Sequence, residues 1–277
     1  MLTTLLASKI TRSCGNASKS AYTELIASTA AQYDGLLITV KKALNTRVLF
    51  DIATGAAASE TVVIANLYVS RGDANSDSTT TFFVPLRIAS GSRLAVRGQS
   101  HTSGETITVT VHGTVGGFTS YASCTTYGAD TGSTAGTVID GGATADTEGT
   151  IVELTASSGA EHEQLLVALA PPTSNATAIT LVMTDIMTGA GGAESAIIND
   201  LLFSNPNGNP NGNQCFFPVF PSTAIPASTR ISARCQASTN NANGRTVQII
   251  LYAMGSPYSS GGSGLKVPLI GGGLIRV

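Results

Sequence analysis

The chain of 277 residues has no tryptophan, and only 12% of its residues are charged. A globular protein usually has about a quarter of its residues charged. The 15 Lys and Arg residues stand against 17 acidic residues, and this leaves a formal net charge of −2. We therefore expect no nucleic-acid partner, because a polyanion finds no basic surface. No apolar run approaches the ~20 residues of a membrane span, so we expect a soluble protein with no membrane partner.

Groups that bind metals or carry out catalysis are also scarce. The three histidines, His101, His112 and His162, have no closely spaced partners, so we expect no metal and no cofactor. His162 lies between two glutamates, but neighbouring strand residues face opposite sides of a sheet, so this triplet does not form one site. Neither a Gly-x-Ser-x-Gly motif nor a phosphate-binding loop occurs. We therefore expect no enzymatic activity.

The four cysteines do not follow any pattern that would indicate a disulfide framework. They are Cys14, Cys124, Cys215 and Cys235. Free thiols are typical of a chain assembled in a reducing cytoplasm. A pairing of Cys215 with Cys235 remains open if their strands lie side by side.

The sequence contains an internal repeat, which is more informative than any single motif. The landmarks of the first copy are Glu24, Leu36–Val40, Asp51 to Gly55, Glu60, Arg93, Arg97 and Gln99. Their counterparts, in the same order, are Glu153, Leu165–Leu169, Asp185 to Gly189, Glu194, Arg230, Arg234 and Gln236. So many ordered matches indicate two homologous domains.

The pattern of both copies predicts strands. Short apolar or alternating runs bounded by Gly, Asn, Asp and Ser occur at Leu36–Val40, Val48–Ile52, Thr61–Leu67, Thr81–Leu86, Arg93–Arg97 and Thr106–Val111, with equivalents in the second copy. Only Ser18–Ala31 offers an undecided helical pattern. We predict an all-β protein made of two tandem homologous antiparallel β-sandwich, jelly-roll-like domains that are joined by a Gly/Ser/Thr-rich linker.

The predicted boundaries follow from the repeat. We expect an N-terminal arm at 1–20, a first sandwich at 21–113 and a second sandwich at 150–254. The segment 114–149 between them is rich in Gly, Ser, Thr and Ala and is interpreted as a linker or an excursion used in assembly. A Gly-rich C-terminal arm occupies 255–277.

Several polar residues persist in both copies of a chain that has few charges. The candidate structural or interface pairs are Arg93, Arg97, Gln99, Arg230, Arg234, Gln236, Glu24, Glu153, Glu60 and Glu194. Alternate positions of one strand share a face, where arginines can bind carboxylates such as Glu24 or Glu60. We favour such internal pairing. The alternative is a contact surface between subunits, where Arg is also common.

A tandem tetrapeptide of turn-forming residues precedes the Phe216-Phe217 strand. It supplies a candidate contact loop made of Asn205, Asn207, Gly208, Asn209, Asn211 and Gly212. Asn-Gly and Asn-Pro pairs are turn chemistry, which places this loop at an exposed tip. The tip is either a tolerated insertion or a contact with a neighbouring subunit or a host surface.

The segment from Ile225 to Ser238, followed by a strand that ends at Leu251-Tyr252, resembles the closing strands of β-sandwich structural proteins of tailed bacteriophages. The segment from Ile88 to Ser100 in the first copy does so too. The resemblance covers roughly Tyr22 to Tyr252 and extends to the low charge and the abundance of Ala, Gly, Ser and Thr. It implies a virion component with two jelly-roll-like domains, and it carries over no catalytic residues.

The function that we expect is therefore that of a non-enzymatic virion structural protein that decorates or cements a capsid or a tail. It is expected to be a homo-oligomer, with a trimer favoured, to contact other virion proteins, and to assemble in the host cytoplasm. One rival is a receptor- or glycan-binding module of a tail fibre or baseplate. Another is a small double-jelly-roll capsid shell protein.

Overall fold

The computed structural model describes residues 2–42, 46–70, 79–171, 179–205, 214–242 and 244–258. Throughout these ranges the regular structure consists of 19 strands without a helix, which confirms the predicted all-β class. Since no described segment is helical, none provides a helix of the length and hydropathy needed to cross a membrane.

The first half of the chain folds into two facing sheets. Its strands are β1 (Leu2–Ser13), β2 (Gly15–Asn16), β3 (Thr23–Ile26), β4 (Gly35–Lys42), β5 (Val48–Thr54), β6 (Thr61–Val69), β7 (Thr79–Val84), β8 (Leu94–Ser100) and β9 (Thr106–Val115). One sheet has the order β1-β9-β4-β7, and the other has β3 and β2 beside β8, followed by β5 and β6. Placing the first long strand beside the last is the order of a jelly roll.

The second half repeats this strand order. Its strands are β10 (Cys124–Tyr127), β11 (Ala129–Asp130), β12 (Ala135–Asp140), β13 (Val152–Thr155), β14 (Gln164–Ala170), β15 (Ile179–Thr188), β16 (Ser195–Asn205), β17 (Cys215–Val219), β18 (Ile231–Ala237) and β19 (Thr246–Met254). One sheet runs β12-β19-β14-β17 with β10 also on β19, and the other runs β13-β18-β15-β16. Each half therefore has its own pair of facing sheets.

The structure differs from the sequence prediction at the segments interpreted as an arm and a linker. Residues 2–13 form β1, which pairs antiparallel with β9. The segment 114–149 contains β10, β11 and β12, and both β10 and β12 pair with β19. The reason is that β9 and β19 each need a partner for their outer backbone groups, because unpaired buried polar groups are costly. Weakly patterned sequence supplies that partner in both halves.

The sheet that contains β14 and β19 is buried on both of its faces. On one face, Leu165, Val167 and Leu251 pack against the β13-β18-β15-β16 sheet. On the other face, Leu166 and Ile250 belong to the hydrophobic core of the first half. This face closes the open side of the first sandwich, between the free edges of β6 and β7. The two halves thus share a buried interface.

Tyr252 of β19 joins the interface to the backbone of β6. Its hydroxyl donates to the carbonyl oxygen of Asn66 at 2.9 Å and accepts from the amide of Tyr68 at 2.9 Å. The side chain is fully buried, and burial raises the pKa of its phenol well above the ordinary value. Nearby, the Phe216 ring meets the edge of Phe82 with centroids 4.6 Å apart. Tyr252 therefore satisfies the edge of β6 that another strand would otherwise pair.

We expect Tyr252→Phe to lower the free energy of unfolding by about 1–3 kcal/mol, because it leaves two buried backbone groups of β6 without a partner. Urea unfolding followed by circular dichroism measures this change. The control is Tyr22→Phe, at a half-buried position outside the interface, which should change stability by less than about 0.5 kcal/mol. Equal effects of the two substitutions would contradict the assigned role of the Tyr252 hydroxyl.

Candidate functional site

The polar residues that both copies retain form two matching sets of ion pairs. In the first half, the Arg93 Nε atom lies 2.9 Å from Glu24 and its Nη1 atom lies 3.0 Å from Glu60. In the second half, Arg230 contacts Glu153 at 2.7 Å and also contacts Glu194. Arg93 directly precedes β8 and links it to β3 and to the turn before β6. Arg230 directly precedes β18 and links it in the same way to β13 and to the turn before β16.

The second retained arginine binds an aspartate that the sequence analysis did not single out. Arg97 lies on β8 directly opposite Asp51 of β5, and its Nε atom is 2.8 Å from the carboxylate. Arg234 lies opposite Asp185 in the same way, at 3.0 Å. The expected partners of these arginines were carboxylates such as Glu24 and Glu60. The aspartates were visible in the repeat, but only strand register reveals the pairing.

Each aspartate also holds a bulge in the neighbouring edge strand. The Asp51 Oδ1 atom accepts the amide of Asn66 at 2.8 Å, and the Asp185 Oδ1 atom accepts the amide of Asp200 at 3.0 Å. Asn66 and Asp200 both have a φ of 55°, in the left-handed region that Asn and Asp tolerate better than most residues. Arginine, aspartate and bulge therefore form one repeated unit.

The two glutamines of the repeat have different contacts. Gln99 is buried, and its side-chain nitrogen donates to the carbonyl oxygen of Thr131 at 2.7 Å and to the hydroxyl of Thr134 at 3.0 Å. Gln236 instead lies 3.9 Å from the sulfur of Met183. Gln99 thereby attaches the loop between β11 and β12 to the first half.

The surroundings of the two aspartates differ in charge. Asp51 also binds the Lys19 ammonium at 2.8 Å, so two cations surround one carboxylate. Burial lowers the pKa of Lys19, and the attraction of Asp51 opposes that shift. In the second half, Glu148 approaches Arg234 at 3.4 Å, and burial together with Asp185 raises the pKa of Glu148. The same scaffold is cationic in one half and acidic in the other.

A groove of about 470 Å³ opens beside Lys19, Asp51 and Arg97. Its lining includes Lys19, Asp51, Asn66, Arg97, Gln99 and Thr131. Donors and acceptors are both present, and Arg97 also stacks over the Tyr22 ring at 4.6 Å. This groove has the chemistry to bind a polar ligand such as a sugar.

The structure also bears on the predicted contact loop, the cysteines and the metal ligands. The contact loop lies outside the described residues, apart from Asn205, which ends β16. The four cysteines are free, so Cys215 and Cys235 do not pair. In the portion of the chain that the structure describes, no group of three or more His, Cys, Asp or Glu residues is arranged to hold a metal ion.

His162 forms a buried pair with Tyr127. The tyrosine hydroxyl lies 2.8 Å from the His162 Nε2 atom, and the histidine is fully buried. Burial lowers the pKa of this imidazole, because the charged form loses its hydration. Of its glutamate neighbours, Glu161 is exposed and Glu163 is half-buried, and all three residues precede β14. The pair anchors the start of the second sandwich beneath the loop at Gly159, whose amide donates to the same hydroxyl at 3.2 Å.

Comparison with known proteins identifies no family. No family model matches the chain, and no curated protein matches it. Among solved structures, it is similar to a peptide-N(4)-(N-acetyl-β-D-glucosaminyl) asparagine amidase, with 12% identity and a TM-score of 0.41 over 93% of this chain and 97% of the other.

Two viral structures are also similar. One is the STIV MCP, with 9% identity and a TM-score of 0.34 over 91% of this chain and 95% of the other. The second, from an archaeal virus, has a triple jelly-roll fold, with 11% identity and a TM-score of 0.27 over 91% of this chain and 58% of the other. These likenesses concern the β-sandwich fold alone. They do not point to tailed phages.

One prediction is corrected by these comparisons. From the sequence we expected no enzymatic activity, whereas the amidase, which is similar over 93% of this chain, is an enzyme. Scarce catalytic motifs in a sequence do not exclude catalysis on this fold, because a fold hosts many functions. The expectation that the chain is not an enzyme is therefore withdrawn.

We expect Asp51→Asn to destabilise the protein by about 1–3 kcal/mol, because it leaves Lys19 and Arg97 without their shared carboxylate. Asp185→Asn should cost less, since Glu148 still approaches Arg234 and repulsion between carboxylates is relieved. Thermal unfolding of both variants measures the difference. A larger loss for Asp185→Asn would contradict the charge assignment.

The lowered pKa of His162 predicts a dependence of stability on pH. Its imidazole is harder to protonate in the folded state than in the unfolded state, so its contribution is present above pH ~6.5 and is lost as the pH falls. The loss approaches about 1.4 kcal/mol per pH unit below that value. Urea unfolding between pH 7 and pH 5 should show this slope in the wild type and a shallower slope in His162→Gln.

The pKa of His101 is also lowered, by partial desolvation and by the nearby charge of Arg47, so His101→Gln serves as the comparison for the same measurement. His101 is exposed and lies at a strand end, and its replacement should change the slope less. Equal slopes in the wild type and in His162→Gln would show that the buried imidazole does not titrate in this range.

Proposed function

We propose that this chain is a structural subunit of a virion, on the surface of a tailed-phage capsid or tail. It acts through contacts with other copies of itself and with other virion proteins. The proposal rests first on the repeated polar residues, because the ion pairs of Arg93, Arg97, Arg230 and Arg234 all lie inside one sandwich or the other. The repeat thus preserves a scaffold.

The surface of the scaffold supports the same proposal. Large apolar side chains are exposed on or beside edge strands, notably Leu2 at 70%, Leu202 at 53% and Phe220 at 68%. Single exposed apolar residues are ordinary, but these occur at sheet edges, where further strands or subunits can pack. A polar, low-charge sandwich with such edges is suited to forming contacts with similar surfaces.

A second candidate function is that of a receptor- or glycan-binding module. The groove beside Lys19 and Arg97 favours it, because it combines cationic, amide and hydroxyl groups in one concavity. Thr131→Arg is expected to fill this groove without disturbing the hydrogen bond that Gln99 makes to the Thr131 backbone. This variant separates the two functions.

The test mixes the purified chain with virus particles stripped of it. We expect the chain to rebind in a fixed ratio and to raise the temperature at which the particles release their genome. Thr131→Arg should rebind equally well. Wild-type protein that binds host cells or glycans, loses that binding in Thr131→Arg and leaves particles bare would contradict the proposal and favour the second candidate.

A further inference from the structure

The interface between the two halves joins two unlike surfaces. One is the outer face of the β10-β19-β14-β17 sheet, and the other is the free edge of the first half at β6 and β7. On the face, one row across the sheet consists of Thr126, Tyr252, Leu166 and Pro218. From this row, the Thr126 hydroxyl donates to the carbonyl oxygen of Ala65 on the β6 edge at 2.6 Å, beside the contacts of Tyr252. Such an interface is heterologous, so each half keeps one unused surface.

The unused surface of the second half is the edge formed by β16 and β17. Strand register places Leu202 opposite Met183, as Tyr68 lies opposite Leu49 in the first half. Tyr68 is 1% exposed and its backbone bonds to Tyr252 and Gln214 of the second half, whereas Leu202 is 53% exposed. Phe220 follows β17 and is 68% exposed. This edge therefore presents apolar side chains where its counterpart is buried.

The unused surface of the first half is the outer face of the β1-β9-β4-β7 sheet. Register aligns Leu5, His112, Leu37 and Phe83 in one row across its four strands. This row corresponds, strand by strand, to the row that forms the internal interface. Leu5 is 54% exposed.

The rest of this face has a different character. The next row is made of threonines, in which Thr39 lies opposite both Thr81 and Thr110. His112 takes the place of Tyr252, and its Nδ1 atom is buried without a hydrogen-bond partner among the described residues. At one end of the row, the Phe83 ring meets Phe118 with centroids 4.9 Å apart, so the row is most open at Leu5.

We propose that copies of this chain join head to tail, with the β16–β17 edge of one subunit on the β1-β9-β4-β7 face of the next, in the manner of the internal interface. Leu202 of one copy then packs near Leu5 of the other. This inference rests on the proposed structural function and names its self-assembly surface.

A heterologous contact permits a decisive test by mixing two variants. Leu202→Asp destroys the edge and keeps the face, while Leu5→Asp destroys the face and keeps the edge. Light scattering should show wild-type oligomers and two monomeric variants, each of 28.1 kDa. An equimolar mixture should recover a pair of about twice that mass but no larger species, because each partner retains one usable surface.

The matched control is Val138→Asp. Val138 is 47% exposed on β12 and belongs to neither surface, so this variant should assemble like the wild type. Circular dichroism of all variants checks that they are folded. If a mixture of the two monomeric variants stays monomeric, the intact edge of one variant does not bind the intact face of the other, and the head-to-tail proposal is wrong.

Two further outcomes would overturn the inference and leave the proposed function to its own test. One is an oligomer that neither Leu202→Asp nor Leu5→Asp weakens, which would place self-assembly on another surface. The other is a wild-type chain that remains monomeric. In both cases rebinding to stripped particles separately decides whether the chain is a structural subunit.

Discussion

Burial of the β14–β19 sheet on both faces constrains the rest of the molecule. Strands with two buried faces have to be apolar throughout, and β14 reads Gln164-Leu-Leu-Val-Ala-Leu-Ala170, whereas its counterpart β4 alternates with Thr and Lys. Apolar surface contributes about 25 cal/mol per Å² when it leaves water, so this outer face strongly favours contact. The first half supplies the partner, and we predict that the two sandwiches unfold as one unit.

A chain of polar contacts connects the first sandwich to the same interface. Arg97 binds Asp51, Asp51 accepts the amide of Asn66, and the carbonyl oxygen of Asn66 accepts the hydroxyl of Tyr252. The bulge at Asn66 is therefore held from the sandwich side and from the interface side. In the second half, Arg234, Asp185 and Asp200 repeat the first two links, and Asp200 is exposed. Among the described residues, the contact with a tyrosine hydroxyl that completes this unit is found in the first half.

Much of the fold could be predicted from the sequence, because alternation marks strands that are buried on one face. The predicted runs Val48–Ile52 and Thr106–Val111 lie inside β5 and β9. The repeat also identified Arg93 and Arg230 with their glutamates. β1 and the strands of segment 114–149 could not be predicted, because neither segment has a regular alternation of apolar and polar residues. β1 is interrupted by bulges where it pairs with β9, and β10, β11 and β12 form only short ladders.

The site residues that sequence reasoning missed are those defined by register between strands. Asp51 and Asp185 were visible as repeated positions, but their role depends on lying opposite an arginine and beside a bulge. Tyr252 gave no signal, since one tyrosine in an apolar strand is ordinary. The undecided stretch Ser18–Ala31 contains β3, and its Ala and Leu content favoured a helix that tertiary pairing with β8 overrides.

The measurement that tests the shared interface most directly is native-state hydrogen exchange. The account predicts that amides of β5 in the first half and of β15 in the second half exchange with the same free energy, equal to that of global unfolding, because neither sandwich persists without the other. Exchange of β5 at a clearly lower free energy, with β15 still protected, would show two independent units and would contradict the account.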